Sequence, residues 1–570
     1  MQRRPRTTFL ISLLSILTFA SFSLYLSRNA ISSPYSDLTK LNTIVLRTIP
    51  NNNNHQQLSR QTRRVSSIKD PSLSTVSVLI PDWEILLIVA PNTPLSSSDQ
   101  HRCLFPNNAN SPAKFSGVLP STNRTTFKCD LPGPVRRRRI FSQPMLVTST
   151  SETELLSPAP ELLKWNFLVY ESYSTENDVV VFAKGVNHRN GNDRSPRELR
   201  CVFELGNGVL KSAVTSSVQE VFRCPRPDPS ELDLDSHYGL PNRIGISLEI
   251  VAENIIVPSV AYYIPRPKKP KPMMNDLAVE ARPKHFLCAC TMVYNVAKVL
   301  REWVMYHAKV GVENFILYDN ASDDDLYSVI EELRAEGYNI STLFWIWPKT
   351  QEAGFSHSVV YSKSKGLCSW IMYVDVDEFV FSPSWGNESV PSLKGLLARE
   401  IKGSTRVGQV WMRCMEFGPS GQRRHPEEGV TQGYTCRRRG EQRHKSVVMV
   451  EAVDPSLRNV IHHFQVKERE GFRSKQVSVE EGLVNHYKYQ AWDEFKSKFR
   501  RRVSAYVVDW KQEINPNSKD RTPGLGFRAI QPKDWTHRFC EVRDQRLKSL
   551  TRSWFGSVTP NGYRMAWQTS

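Results

Sequence analysis

Asp375 and Asp377 stand two apart in Tyr373-Val374-Asp375-Val376-Asp377-Glu378-Phe379, directly after the apolar run Trp370 to Val374. On a regular strand that spacing points both carboxylates to one face. A bend at the strand end would let both reach one divalent cation and its phosphates. Oxygen ligands suit Mg²⁺ or Mn²⁺ bridging a diphosphate. The triplet alone is cheap, since about one D-x-D is expected by chance in a chain this long at ordinary Asp usage. The run in front of it carries the metal reading. Without polar alternation it reads as a strand buried on both faces. In open α/β sheets, ligands bind just outside the carboxyl ends of the strands.

The preceding residues must position that strand. Phe286 to Met292 reads as a strand, and Ala297 to Lys309 as a helix with Leu300, Trp303, Val304 and His307 on one face and Gly311 as its stop. Asn314 to Tyr318 is the next strand. Ser322-x-x-Asp325 reads as a capping box that opens a helix running to Ala335, stopped by Gly337. Thr342 to Trp347 is a third strand, and a helix from Glu352 to Lys365 leads into the Trp370 strand. This order predicts an α/β fold with a mostly parallel sheet and helices on its faces. Two other strand ends carry polar residues: Asn295 after the first strand, and Asp319 and Asn320 after the second. An acid after the second strand commonly accepts from a ribose hydroxyl, which assigns Asp319 to a nucleotide. Asp324 and Asp325 suit a helix N-terminus.

The rest of the 570-residue chain divides by texture. Residues 1–7 form a cytosolic tail and Thr8 to Leu26, free of charge, an anchor; at 1.5 Å per residue the latter spans about 28 Å. Arg3, Arg4 and Arg6 precede it and place the N-terminus in the cytosol by the positive-inside rule, with a cleaved signal peptide as the alternative. Residues 27–75 are Ser-, Asn- and Arg-rich and read as a disordered stem. Residues 76–264 read as an all-β, sandwich-like domain, either glycan-binding or a spacer. A faint repeat there, Arg102-Cys103 to Cys129 and Arg200-Cys201 to Cys224, predicts local disulfides Cys103–Cys129 and Cys201–Cys224. Pro265, Pro267, Pro270 and Pro272 mark a linker over 265–284, and the α/β domain fills 285–570. Much of the +18 charge lies in short runs, Arg136 to Arg139, Lys268 to Lys271 and Arg437 to Arg439. It implies attraction to polyanions, while an anchored lumenal body excludes a nucleic-acid partner. Asn123, Asn339 and Asn387 begin sequons open to a lumenal chain; Asn320 begins a fourth, inside the expected nucleotide loop. The basic, aromatic stretch 496–570, with Trp510, Trp535 and Trp554, suits packing on the sheet better than an acidic glycan.

Residues 286 to about 495 resemble the plant members of glycosyltransferase family 92. The residues that carry the resemblance are Cys290-Thr291-Met292-Val293-Tyr294-Asn295, Glu302-Trp303-Val304-Met305-Tyr306-His307, Tyr318-Asp319-Asn320-Ala321-Ser322-Asp323-Asp324, Tyr373-Val374-Asp375-Val376-Asp377-Glu378-Phe379, Phe417-Gly418-Pro419-Ser420-Gly421 and His486-Tyr487. The resemblance implies a GT-A fold, a Mn²⁺-dependent inverting transferase and a Golgi type II anchor. It also implies galactose transfer from UDP-galactose onto β-1,4-galactan, with a carbohydrate-binding β domain ahead of the catalytic one. Such a transfer needs a cation at the departing diphosphate, contacts that fix the donor and a base for the acceptor hydroxyl. Asp375 and Asp377 are assigned to the cation. The resemblance adds His486 as a third ligand, with His462 and His463 as alternatives. Asn295, Asp319, Asn320 and Lys445 are assigned to the donor, and Glu416 or its rival Asp493 to the base. The partners expected are a nucleotide sugar, a polysaccharide acceptor and the membrane, with a homodimer left open. Another nucleotide sugar on the same fold, or a non-catalytic glycan-binding scaffold, is the competing reading.

Overall fold

The computed structural model describes residues 75–570 apart from 92, 94–99, 138–139, 149–158, 188–191, 206–207, 229–242, 266–282, 387–391, 402–405, 461, 499–530, 561 and 569–570. The expected tail, the anchor and nearly all of the stem lie outside the described residues, as do most of the linker, Asn387 and Trp510. No helix among the described residues is long and apolar enough to cross a membrane.

The β-rich region is a tandem of two repeats. The first contains β1 (Thr75–Leu79), β2 (Glu84–Val89), β3 (His101–Leu104), β4 (Asn110–Leu119), β5 (Arg124–Asp130) and β6 (Met145–Thr148). Its pairs are β1 with β2, β2 with β5, β3 with β4 and β6, and β4 with β5, all antiparallel. A short strand β7 (Leu163–Lys164) lies parallel to β1. The second repeat contains β8 (Leu168–Ser174), β9 (Asp178–Lys184), β10 (Leu199–Leu205), β11 (Gly208–Ala213), β12 (Ser216–Val218), β13 (Val221–Pro225) and β14 (Ile244–Ile250). It has the same pairing diagram: β8 with β9, β9 with β13, β10 with β11 and β14, and β12 with β13. The continuous β4 corresponds to β11 and β12 together. Cys103–Cys129 joins β3 to β5, and Cys201–Cys224 joins the equivalent β10 to β13. The faint sequence repeat thus reports a duplicated unit. Strands β15 (Ile255–Ile256) and β16 (Tyr262–Tyr263) complete the second copy on β14.

From His285 the chain builds one mixed sheet. Strands β17 (His285–Val293), β18 (Asn314–Asp319), β19 (Ile340–Phe344) and β20 (Cys368–Tyr373) run parallel in the order β19-β18-β17-β20. The helices α1 (Ala297–Lys309), α2 (Leu326–Ala335) and α3 (Gln351–Lys365) make the crossovers. Beyond β20 the sheet becomes mixed. After β21 (Glu378–Phe381), the long strands β22 (Arg406–Phe417) and β23 (Cys436–Met449) form an antiparallel hairpin that pairs with β20 through β23. The strand Leu483–His486 lies parallel to β22 and antiparallel to β21. The capping box is also corrected. Helix α2 begins at Leu326 behind Asp325, and the Ser322 hydroxyl instead accepts from the Asn295 backbone N–H at 3.0 Å.

The β20 strand is buried on both faces, and the two faces meet different neighbours. Trp370 and Met372 pack with Leu300, Trp303 and Val304 of α1 and with Leu326 and Ile330 of α2. Ile371 and Tyr373 join Phe355 and Val359 of α3 and a set from the β repeats, including Leu86, Ile88, Tyr170 and Phe182. Strands β2 and β9 are equivalent in the two repeats, and they divide their residues alike. Ile85, Leu87 and Val89, like Val179, Val181 and Ala183, fill the core of their own repeat. Leu86 and Ile88, like Val180 and Phe182, face the α/β sheet. That explains why neither strand alternates. The β repeats and the α/β unit are one folded body with a shared core, rather than two domains on a linker.

Gly117, on β4, is one point of that contact. A Cβ there would lie 2.5 Å from the Phe344 ring, on a backbone at φ +145°. Gly117→Ala is expected to destabilise the protein by about 1–3 kcal/mol through overpacking and backbone strain, read as a lower denaturant midpoint for the full chain.

Candidate active site

After β17 the chain turns to α1 and β18 on one side, while β20 lies on the other. The strand order therefore reverses between β17 and β20, and a crevice must open at their carboxyl ends. A cleft of about 310 Å³ lies there. Its walls are Met292 to Val296 after β17, Asn320 after β18, Lys349 to Gln351 at the start of α3, and Asp375 to Asp377 after β20. Gln490, Glu494 and Lys498 close it from the C-terminal side.

The acidic strand end divides into two jobs. Asp375 Oδ2 accepts from Lys445 Nζ at 3.0 Å and Oδ1 from Gln351 Nε2 at 3.0 Å. Burial would raise this carboxyl, but the Lys445 ammonium holds it well below the usual carboxylate range. Asp377 is 6 % exposed and faces Lys498 Nζ at 2.8 Å and His486 Nε2 at 3.4 Å. Glu378 is fully buried; its Oε2 accepts from the Asp375 N–H at 2.8 Å and pairs with Lys445 at 2.9 Å. Its Oε1 lies 3.5 Å from His486 Nδ1, and burial pushes its carboxyl up. The register explains the meeting, since Glu378 on β21 stands opposite His486.

These distances test whether a cation fits. Asp377, Glu378 and His486 offer ligand atoms within 4.8 Å of one another. His486 Nε2 and Glu378 Oε1 are buried and make no hydrogen bond among the described residues. One ring nitrogen of His486 faces Asp377 and the other faces Glu378. A metal-binding histidine commonly has a carboxylate partner of that kind for its second nitrogen. The donor set of carboxylate and imidazole fits Mn²⁺. Asp377 and His486 come together as the sequence proposed; Asp375 is committed to Lys445 and Gln351.

Other assignments move. Lys445 does not reach the cleft: its side chain is 7 % exposed beneath Asp375 and Glu378, and Nζ also contacts His462 Nε2 at 3.0 Å. Burial and Lys445 push His462 down to about 3, so its ring is neutral. Asp319 is 1 % exposed and occupied within its own loop, accepting from the Ser322 N–H at 2.9 Å and from the Tyr327 hydroxyl at 2.9 Å. Asn295 and Asn320 do line the cleft. Asn320 Nδ2 is tied to the Trp345 carbonyl at 2.6 Å. Glu416 is buried outside the cleft between Lys488 at 2.6 Å and Arg438 at 3.3 Å. Burial would raise its carboxyl, but Lys488 leads the cations that hold it below the usual range, which makes it a poor base. Asp493 is exposed and also outside. His463 packs on the far side of the hairpin with His444 at 3.2 Å.

Sequence reasoning missed Glu494 and Lys498. They lie four apart on the helical segment 492–498, and both line the cleft. Trp492 and Phe495 of the same segment are buried in the core. That phase was readable: with Trp492 and Phe495 inward, Asp493 falls off the cleft face. Glu494 Oε1 pairs with Lys298 Nζ at 2.6 Å at the cleft margin.

The chain is 42% identical over 420 residues to "Glycosyltransferase family 92 protein At1g27200" of Arabidopsis thaliana, which covers 71% of this chain and 69% of that one. It is 36% identical over 507 residues to "Glycosyltransferase family 92 protein Os08g0121900" of Oryza sativa subsp. japonica, covering 86% and 82%. The chain belongs to glycosyltransferase family 92. The profile of the family matches residues 284–522, so the β repeats lie ahead of the matched part. Among solved structures, "Mannosyltransferase PcManGT from Pyrobaculum calidifontis in complex with GDP-Man and Mn2+" is similar over 42% of this chain and 69% of that one. Its identity is 9% and its TM-score 0.24, too loose a likeness to inform the site.

Lys445 neutralises two buried carboxylates, so its loss leaves both uncompensated. Lys445→Met is expected to cost roughly 3–5 kcal/mol of stability, whereas Asp493→Asn should change it by less than about 0.5 kcal/mol. Chemical denaturation of the two variants measures the contrast.

Proposed function

We propose that this family 92 chain is a metal-dependent, inverting glycosyltransferase of GT-A type that moves galactose from UDP-galactose onto a β-1,4-galactan-like cell-wall polysaccharide. We propose further that it works as a Golgi type II membrane protein with its body in the lumen. The observation that carries the reading is Asp377, on the wall of a cleft at the switch point of the sheet, with His486 Nε2 3.4 Å behind it. Asp377 and His486 would hold the cation, which supplies charge neutralisation at the departing diphosphate when bound.

The chain's own residues do the rest. Lys349 and Lys498 bring positive charge to the cleft where phosphates would lie. Asn295 and Asn320 present amides on the side of β17 and β18, suited to a nucleoside. Asp375 on the cleft wall is engaged with Lys445 and Gln351, which leaves Glu494, at the more open margin beside Lys298, as the group assigned to take the acceptor hydroxyl proton. Four disulfides among the described residues support an oxidising compartment.

A screen of nucleotide sugars, following UDP release with defined galactan oligosaccharides, tests the donor and acceptor. UDP-galactose should give the highest turnover, and a better donor would replace it. His486→Ala should raise the half-saturating Mn²⁺ concentration on the order of 10–100-fold; an unchanged value removes the histidine from the site. Asn320 should remain unglycosylated in active protein because it lines the cleft, where a glycan would block the donor, while Asn123 and Asn339 are exposed. Glycopeptide mass spectrometry finding sugar on Asn320 in active protein would contradict the assignment of this loop to the donor cleft.

A further inference from the structure

One wall of the cleft is held from outside the transferase unit. Trp345 to Gln351 leave β19 and run to α3, and Lys349, Thr350 and Gln351 face the cleft. Lys349 sits at φ +62°, a left-handed conformation that costs a residue with a side chain about 1–2 kcal/mol and persists where its surroundings fix it. Part of that fixing comes from the second β repeat. Lys184 Nζ, on β9, donates to the Lys349 carbonyl at 2.9 Å. Its side chain is 11 % exposed and forms an ion pair with Glu220, whose other oxygen accepts from the Tyr170 hydroxyl at 3.0 Å. The ammonium also lies 5.7 Å from the centre of the Trp165 ring. Trp165 in turn stacks on Trp347, with centroids 5.8 Å apart and planes within 4°. Trp347 Nε1 faces Glu171 Oε2 at 3.3 Å.

The wall is connected to the acidic strand end. Gln351 Nε2 donates to Asp375 Oδ1 at 3.0 Å, and Thr350 Oγ1 donates to the Trp347 carbonyl at 2.7 Å. A shift of the Lys349 peptide would therefore move a cleft lysine and the amide that holds Asp375. We infer that the second β repeat and the segment that leads into it are a working part of the donor site, with Lys184 and Trp165 as positioning residues that set the wall at residues 347–351. The inference rests on the glycosyl-transfer reading above and adds residues ahead of the family's matched segment. A repeat that served only to fill the core would lend stability but leave donor affinity alone.

The full chain carries the test, with UDP in the presence of Mn²⁺ as the probe in calorimetric titration and UDP-galactose turnover alongside. Lys184→Met should weaken UDP binding and raise the donor KM about tenfold, the scale of loss that follows misplacement of a binding group, with kcat altered less than about twofold. Lys184→Arg, which keeps a cation and N–H donors, should recover most of the loss. Lys211→Ala, in the same repeat but away from the wall, should bind UDP as the unaltered chain does. If Lys184→Met does not fold, Trp165→Phe, which shrinks the stack on Trp347, should show the same rise in KM. Unaltered UDP affinity and donor KM in a folded Lys184→Met or Trp165→Phe overturn the inference alone. An unaltered chain that binds no UDP overturns the functional reading, and the inference with it.

Discussion

Three carboxylates leave the sheet within four residues, in a place with little water, and the fold has to neutralise them without blocking them. One buried ammonium resolves the conflict. Lys445 lies under the strand end and pairs with Asp375 and Glu378, which leaves Asp377 facing His486 and Lys498 at the cleft. Burying a lone cation or a lone carboxylate here would cost several kcal/mol, whereas the mutual arrangement keeps all of them charged or hydrogen-bonded. Lys445 reaches this place because β23 runs antiparallel to β20, with Ser446 opposite Tyr373. The antiparallel hairpin is thus what places a cation beneath the acids.

The same strand makes the β repeats indispensable. β20 has no polar face to offer to water, and only one of its faces is covered by α1 and α2. The opposite face needs α3 and the two repeats together. Catalytic geometry and the β region are consequently coupled through packing as well as through hydrogen bonds. Cys288–Cys368 ties β17 to β20 across the switch point, and Cys436–Cys540 ties the start of β23 to the C-terminal region.

How much of this could be read from the residues depended on range. The β20 strand, its acids and the helices α1 and α3 were legible because apolar runs and helical periods are local. The two disulfides of the repeats were legible for the same reason, closing loops of 26 and 23 residues. Cys288–Cys368 and Cys436–Cys540 span 80 and 104 residues and left no local signal. Strand ends were found, but not which way their side chains turn. Asp319 folds back onto Ser322 and Tyr327, and Lys445 points under the sheet end rather than into the cleft. Glu416 and His486 are register partners in neighbouring strands, yet they end in different environments. Asp493 and Glu494 are a single helical step apart, and the buried aromatic residues on either side decide which of them lines the cleft.

The shared core has a consequence for how the protein is made. The β repeats leave the ribosome before the α/β unit, carrying Leu86, Ile88, Tyr170 and Phe182 on a surface whose partners come later in the chain. Their counterparts extend to Phe472. At synthesis rates of about 5–20 residues per second, that surface waits on the order of ten seconds or more. During this interval the finished N-terminal part is a sticky half of an unfinished protein. Its closed disulfides can preserve the repeats but cannot hide that face, so the nascent chain has a stage at which chaperone cover matters most.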